Sequence, residues 1–266
     1  KRYNLLKPSR TETNIRFYTD EDLRRILNVS MLVKNGYKIS KVAELNDIEI
    51  KSSVLKLAKY QTSESDYVDR LMRYMLNFDH VNFIKLTNEI IALFGFEEAV
   101  FKVFFKLFER IGTYWQVGSV FPAQEHFVTN IFRQKLIAEI DKIENSNTKS
   151  ATMLFFLPEG ELHEMGLLFY SYLAQKFGYN VIYLGQYVPF KDLVSMEQNV
   201  EIDYIFTAFV NSFPKETLEK YLVRLKDVFH KQKVFVTGWQ LHIHSPEMPR
   251  NVKVVKDYRE FRKFLG

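Results

Sequence analysis

The run Ala151-Thr152-Met153-Leu154-Phe155-Phe156-Leu157-Pro158-Glu159-Gly160-Glu161-Leu162-His163-Glu164-Met165-Gly166 decides how this chain is read. Ala151 to Leu157 is a short apolar stretch with the composition of a strand. From about residue 162 the period changes to that of an amphipathic helix, which runs to about 177. Further along, Val181 to Leu184, Tyr204 to Val210, Lys233 to Val236 and Val252 to Val255 are again short apolar runs rich in β-branched and aromatic residues. Amphipathic helices fall between and after them, at about 189–197, 214–231 and 257–265. Alternation at this spacing predicts a parallel sheet with helices on both faces, in the flavodoxin manner.

Working upstream, residues 48 to about 148 are almost continuously helical in pattern. Leu71, Met75 and Phe78 recur at i, i+4, i+7, Ile84, Ile91 and Phe94 at i, i+7, i+10, and Val100, Phe104 and Phe108 share one face. Breaks are expected at Ser63 to Asp66 and at Asp79-His80, so this third reads as a bundle of four or five helices. Residues 1–47 begin polar and basic. Pro8-Ser9 and Thr11 to Asn14 read as turns between two short extended pieces, and Thr19 followed by Asp20-Glu21-Asp22 reads as a capped helix start that Gly36 ends. A second short helix, opened by Ser40, is expected from Ile39 to Leu45. The expected domains are therefore 1–47, 48–148 and 149–266, with the polar stretch Asn145 to Lys149 as the joint before the sheet.

Composition limits the functions available. The chain has 266 residues, 47% of them apolar, and its 24 Phe and 15 Tyr predict a ring-rich core. It has no Cys, which excludes disulfides, thiolate metal sites and cysteine nucleophiles. No apolar run is long enough to span a bilayer and no signal peptide is evident, so a cytoplasmic protein without a membrane partner is expected. The formal charge of +5 fits either nucleic-acid binding or a slightly lysine-rich surface. The chain starts at Lys1 without an initiator Met, as a fragment would. Phosphate-binding glycine loops, nucleophile elbows and zinc-protease patterns are not found, so an enzyme is not expected. His242 and His244 form a His-x-His pair with no carboxylate cluster near in sequence, a weak basis for a metal.

Ligands of a doubly wound sheet bind at the carboxyl ends of its strands, and the loop Glu161 to Gly166 leaves the first strand there. An imidazole aimed upward from that loop can ligate a transition-metal ion when it is neutral. Glu161, two residues before His163, can accept the other ring proton and fix the tautomer, and Gly166 lets the helix start pass close to a cofactor. Taken singly, His163 also fits an ordinary flavodoxin-like domain with a loop histidine. In the bundle, nine residues separate Trp115 from the pair Glu125-His126. Gly118 loosens the helix that ends near Trp115, and Pro122 sits where the next helix begins, so the three side chains can converge on one corner. Taken singly again, Trp115 reads as a core aromatic and Glu125-His126 as a solvated helix start.

In combination these residues resemble the CarH/LitR family of MerR-type, adenosylcobalamin-dependent, light-responsive transcriptional repressors. The resemblance covers nearly the whole chain. It implies that His163 ligates cobalt from below with Glu161 and Gly166 around it, and that Trp115, Glu125 and His126 cap the adenosyl group above. The family pattern Asp-x-His-x-x-Gly, Ser-x-Leu, Gly-Gly is met with changed identities. Glu161 stands for the Asp, Thr207-Ala208-Phe209 for Ser-x-Leu after a forty-residue gap, and Thr237-Gly238 for Gly-Gly after twenty-seven more. Thr207 keeps a hydroxyl for the benzimidazole tail, whereas Thr237 puts a side chain where the tail needs close backbone approach, and Trp239 could crowd it. In light-sensing members a histidine follows the tryptophan and takes cobalt after photolysis; Gln116 stands there in this chain.

The N-terminal stretch resembles the wing of a MerR-type domain: Arg2 to Arg10 matches the exit from the recognition helix, and Asn14-Ile15-Arg16-Phe17-Tyr18 matches the second wing strand. The resemblance implies DNA contacts from Arg10, Asn14, Arg16 and Tyr18, to phosphates rather than bases, with the helix-turn-helix itself outside these residues. It also implies operator DNA as partner and a homo-oligomer, a tetramer, that the cofactor controls. Two other readings stay open: a corrinoid methyl carrier serving a methyltransferase, and a regulator whose cobalamin site has decayed.

Overall fold

A computed structural model describes residues 5, 9–10, 16–59, 65–144 and 149–266. It divides into two compact units, residues 1–131 and 132–266. That division falls inside one helix, Pro122–Asp141. The joint expected from the change of period, Asn145 to Lys149, lies outside the described residues except for Lys149. The two criteria differ because the period marks where strands begin, while packing marks where side chains change partners.

In the first unit, β1 (Ser9–Arg10) and β2 (Arg16–Phe17) pair antiparallel, Ser9 opposite Phe17 and Arg10 opposite Arg16, which is the expected wing hairpin. Helix α1 (Asp20–Lys34) starts at a capping box: the Asp22 amide donates to Thr19 Oγ1 at 3.2 Å and the Thr19 amide to Asp22 Oδ2 at 2.9 Å. Gly36, at φ +92°, follows its end, and the Tyr37 amide reaches back to the Leu32 carbonyl. Helix α2 (Ile39–Glu44) begins two residues earlier than Ser40 would cap it, with Lys38 at the N-cap and no side-chain cap. Next come α3 (Asp47–Lys59), α4 (Ser65–Leu76), α5 (His80–Phe94) and α6 (Phe96–Ala99). A π-helical turn, Val100–Phe104, leads from α6 into α7 (Phe105–Gln116). Val29, Leu32, Val42, Ile50, Val54 and Val117 pack α1, α2 and α3 together, and Arg25 ties them by donating to the Leu5 and Leu45 carbonyls and pairing with Asp47. Helix α8 (Pro122–Asp141) starts on proline, whose missing amide costs nothing in a first turn.

In the second unit β3 (Thr152–Pro158), α9 (Glu164–Lys176), β4 (Asn180–Val188), α10 (Phe190–Asn199), β5 (Tyr204–Ala208), α11 (Lys215–Val228), β6 (Lys233–Thr237), α12 (Trp239–His244), β7 (Val252–Val254) and α13 (Tyr258–Leu265) alternate as expected. The sheet is parallel with order β4-β3-β5-β6-β7. Alternation splits its side chains between two faces. Leu154, Phe156, Ile205, Phe209, Val234 and Val236 pack under α10 and α11. Phe206 and Phe235 face Tyr170 of α9 and Phe261 and Phe264 of α13 in a stack of rings 4.5–5.7 Å apart. Every residue of β3 is buried, which is why its sequence is apolar without interruption. The short helix α12 was not expected; six residues right after a strand carry too little period to read.

Candidate functional site

The chain leaves β3 to build β4 on one side and returns to build β5 on the other, so a crevice opens beyond the carboxyl ends of β3 and β5. The loops that follow these two strands meet there on one carboxylate. Glu161 Oε2 accepts from the Val210 and Asn211 amides at 2.7 Å each, and Oε1 accepts from the Leu162 and His163 amides at 3.0 Å each. The Asn211 side chain donates to the Gly160 carbonyl at 2.5 Å, closing the same junction from outside. The remaining contact of Oε1 is His163 Nδ1 at 2.7 Å.

Glu161 is fully buried while the His163 side chain is 53% exposed. Burial pushes the Glu161 carboxyl up, but the His163 ring and the His163, Asn211 and Val210 amides outweigh it and hold it at about 2. An ionised carboxylate only accepts, so Nδ1 carries the proton and Nε2 is the nitrogen that a neutral His163 can offer a metal. The extra methylene of Glu over Asp lets one side chain serve its own loop and the loop after β5 together. Next along the chain, Glu164 is buried and fixed by Arg133 Nε at 3.0 Å and the Tyr183 hydroxyl at 2.9 Å. Burial and the charge of Glu164 push the Tyr183 phenol up, so it stays a donor. Gln186 Nε2 holds the Leu162 carbonyl at 2.7 Å. These partners were not read from the sequence, since each depends on which side chains meet across distant parts of the chain.

A methyl built on Gly166 would meet nothing within 4 Å. Leu162, Tyr187 and Trp239, all at the carboxyl end of the sheet, are exposed. Trp239 therefore lies outside the sheet packing rather than inside it. Thr237 is turned away from the face of Thr207: its hydroxyl donates to the Val255 carbonyl at 2.9 Å and it also bonds Tyr170, on the α9 and α13 side. Thr207 is buried on the α10 and α11 side, and its hydroxyl has no partner among the described residues. Gly238, at φ +120°, runs so close to Phe209 that a Cβ there would sit 2.2 Å from the Phe209 carbonyl oxygen. Gln240, buried and unexpected, reinforces this approach through the Phe209 and Val210 carbonyls, both at 3.2 Å. The loop after β3 thus presents an exposed imidazole at the carboxyl end of the sheet, whereas the face bearing Thr207 is packed with this chain's own side chains.

In the first unit, α7 ends in a Schellman motif: the Ser119 amide donates to the Tyr114 carbonyl at 2.8 Å and the Gly118 amide to the Trp115 carbonyl at 2.9 Å, with Gly118 at φ +70°. Trp115 and Gln116 occupy the last turn of α7, half-buried. Glu125, half-buried, and His126, exposed, occupy the start of α8, whose first residue, Pro122, is six positions beyond Gln116. Gln124 pins that start by donating to the Leu76 carbonyl at 3.1 Å and accepting from the Phe121 amide at 3.2 Å. Phe78, Phe83 and Phe127 pack edge to face beside it. Of the expected DNA contacts, Tyr18 is exposed, Arg10 and Arg16 are paired in the wing, and Asn14 lies outside the described residues, as do the Arg10 and Arg16 side chains. His242 and His244 lie on α12, where His244 Nε2 meets the Phe213 carbonyl at 2.9 Å; the described residues contain no cluster of metal-binding side chains.

Residues 67–138 match the family model for the B12 binding domain, and residues 1–47 the model for the MerR HTH family regulatory protein. Over 252 residues the chain is 27% identical to the HTH-type transcriptional repressor CarH of Myxococcus xanthus, covering 92% of this chain and 84% of that protein. Among solved structures, the monomethylamine corrinoid protein of Methanosarcina barkeri superposes with a TM-score of 0.60 at 14% identity, covering 76% of this chain and 98% of that one, a likeness of fold. Fold and matches together define a cobalamin-binding transcriptional regulator of the MerR class. Within that class the chain is similar to CarH over nearly its whole length, the likeness of a DNA-binding regulator.

Proposed function

We propose that this regulator senses the adenosyl form of cobalamin, holding cobalt on His163 and covering the adenosyl group with Trp115, Glu125 and His126. The observation that carries the reading is the Glu161 carboxylate, which fixes the His163 tautomer from two loops at once. Trp115 offers a broad apolar plate and Glu125 an acceptor for ribose hydroxyls, a pair matched to a nucleoside rather than a methyl group. Adenosylcobalamin, when bound, supplies a cobalt–carbon bond that light cleaves. The protein's part is to bind one assembled state more tightly when the nucleoside is present, so that occupancy sets the oligomer and the oligomer sets DNA affinity. Arg10, Asn14, Arg16 and Tyr18 then position the wing on phosphates, and the protein works in the cytoplasm. The methyl-carrier reading shares the bundle-and-sheet layout but leaves residues 1–47 and their MerR match without a role. The test is the mass of the protein in solution with adenosylcobalamin, in the dark and after green light. A larger assembly in the dark that dissociates on illumination is expected; a mass indifferent to both cofactor and light contradicts the proposal.

A further inference from the structure

Beyond β3 the His163 side chain is exposed, whereas the sheet face that carries Thr207 is packed. Phe209 follows Thr207 by two residues and therefore shares its face of the sheet. It is buried, together with Phe156 and Phe190. Tyr221 of α11 meets Phe209 edge to face at 5.6 Å and Phe190 at 5.3 Å, and Phe213 meets Phe209 at 6.2 Å. The Thr207 and Tyr221 hydroxyls are both buried and lack hydrogen-bond partners among the described residues. Hydroxyls lining an open slot would reach water; these two are sealed off. At the strand ends, Gly238 is in backbone contact with Phe209, and the Phe209 amide donates to the Thr237 carbonyl at 2.9 Å. Protein interiors hold few voids larger than a water molecule, so a nucleotide tail ending in a two-ring base cannot enter this face as it is packed.

We infer that this chain fills the place of the nucleotide tail with its own rings, Phe209 and Tyr221 foremost, and therefore recognises a corrinoid by its macrocycle and cobalt alone, taking tail-less corrinoids as readily as cobalamin. The inference rests on the reading that His163 ligates cobalt. It has a chemical corollary. A tail that cannot be stowed stays near the lower side of the macrocycle, where its base competes with His163 for the metal. A tail-less corrinoid brings no such competitor. Phe209 is the residue that decides this, because the family pattern has leucine there and the smaller side chain leaves room beside Thr207.

The experiment titrates the full chain in the dark with adenosylcobinamide, which has no lower base, and with adenosylcobalamin, following absorbance. Expected is a Kd for adenosylcobinamide no more than threefold above that for adenosylcobalamin. Its spectrum should change to that of an imidazole-ligated corrinoid, a change lost in His163→Ala. Phe209→Leu should shift the preference toward adenosylcobalamin by tenfold or more. Wild-type protein that prefers adenosylcobalamin by more than threefold overturns the inference while leaving His163 as ligand. Failure to bind either compound removes the underlying reading as well. Should Phe209→Leu not fold, the wild-type ratio alone decides.

Discussion

At the scale of single residues, Glu161 does most to define the site. It is one buried carboxylate with five donors on it, three from its own loop and two from the loop after β5. Replacing it by Gln removes the charge those donors answer, and charge-assisted hydrogen bonds of this kind contribute about 2 kcal/mol or more together. Glu161→Gln should lower unfolding free energy by about that much at pH 7, read by urea denaturation. The sign of the pH effect follows from a folded pKa of about 2 against an ordinary 4.5. The ionised form's contribution is complete above about 4.5 and is lost as pH falls through about 2, so the gap between wild type and variant should close on acidification. A gap that is constant from pH 7 to pH 2 contradicts this account of the clamp. Half of the clamp was legible in advance, because Glu161 and His163 are two residues apart. The half made by Val210 and Asn211 was not, because the flavodoxin order puts β5 beside β3 without revealing which amides of the following loop turn toward Glu161. Trp115 is a second case at this scale. Trp115→Ala should reduce the preference for adenosylcobalamin over methylcobalamin, measured as a ratio of Kd values, and an unchanged ratio would remove it from the cap.

Two glycines separate packing from ligand contact at the scale of elements. Gly238 stands between β6 and α12 at φ +120° with the Phe209 backbone against it, so Gly238→Ala should cost about 3 kcal/mol or more and may be read directly as loss of folded protein on heating. Gly166 sits in the first turns of α9 with open space beside it. Gly166→Ala should leave the cofactor-free protein as stable as before or up to about 1 kcal/mol more so, since alanine favours helix. The same change should weaken adenosylcobalamin binding tenfold or more, because the space belongs to the ligand; unchanged binding would show that the macrocycle does not pass there. The elements themselves were largely legible. Strand and helix alternate in 149–266 with distinct periods, Thr19 and Asp22 form the capping box that their spacing announces, and Gly36 ends α1. What escaped was whatever depends on parity or on length. The direction of Thr237 follows from alternation only once its neighbours Val236 and Gly238 are placed, and α12 is too short to show a period.

For the whole molecule, the order of parts was readable because three kinds of pattern follow one another: a basic hairpin, a continuous helical period, and strand–helix alternation. The sheet order β4-β3-β5-β6-β7 is the flavodoxin order that the alternation predicted, whereas the residue-by-residue register, such as Phe155 opposite Phe206, was not readable from local pattern. Gln116 carries the prediction at this scale. It follows Trp115 at the end of α7, and an amide is a poorer ligand for cobalt than an imidazole. After green light the wild-type protein should show no lasting spectrum of a corrinoid held by two imidazoles, whereas Gln116→His should acquire one; a lasting two-imidazole spectrum in wild type would contradict the role given to this position. The central claim is that His163, held by Glu161, ligates the cobalt of a bound corrinoid. Its most direct measurement is the absorption spectrum of adenosylcobalamin mixed in the dark with wild-type protein and with His163→Ala. The account predicts saturable binding with an imidazole-ligated spectrum in wild type and a loss of at least tenfold in affinity, with loss of that spectrum, in the variant. Equal affinity and an identical spectrum for the two proteins would contradict it.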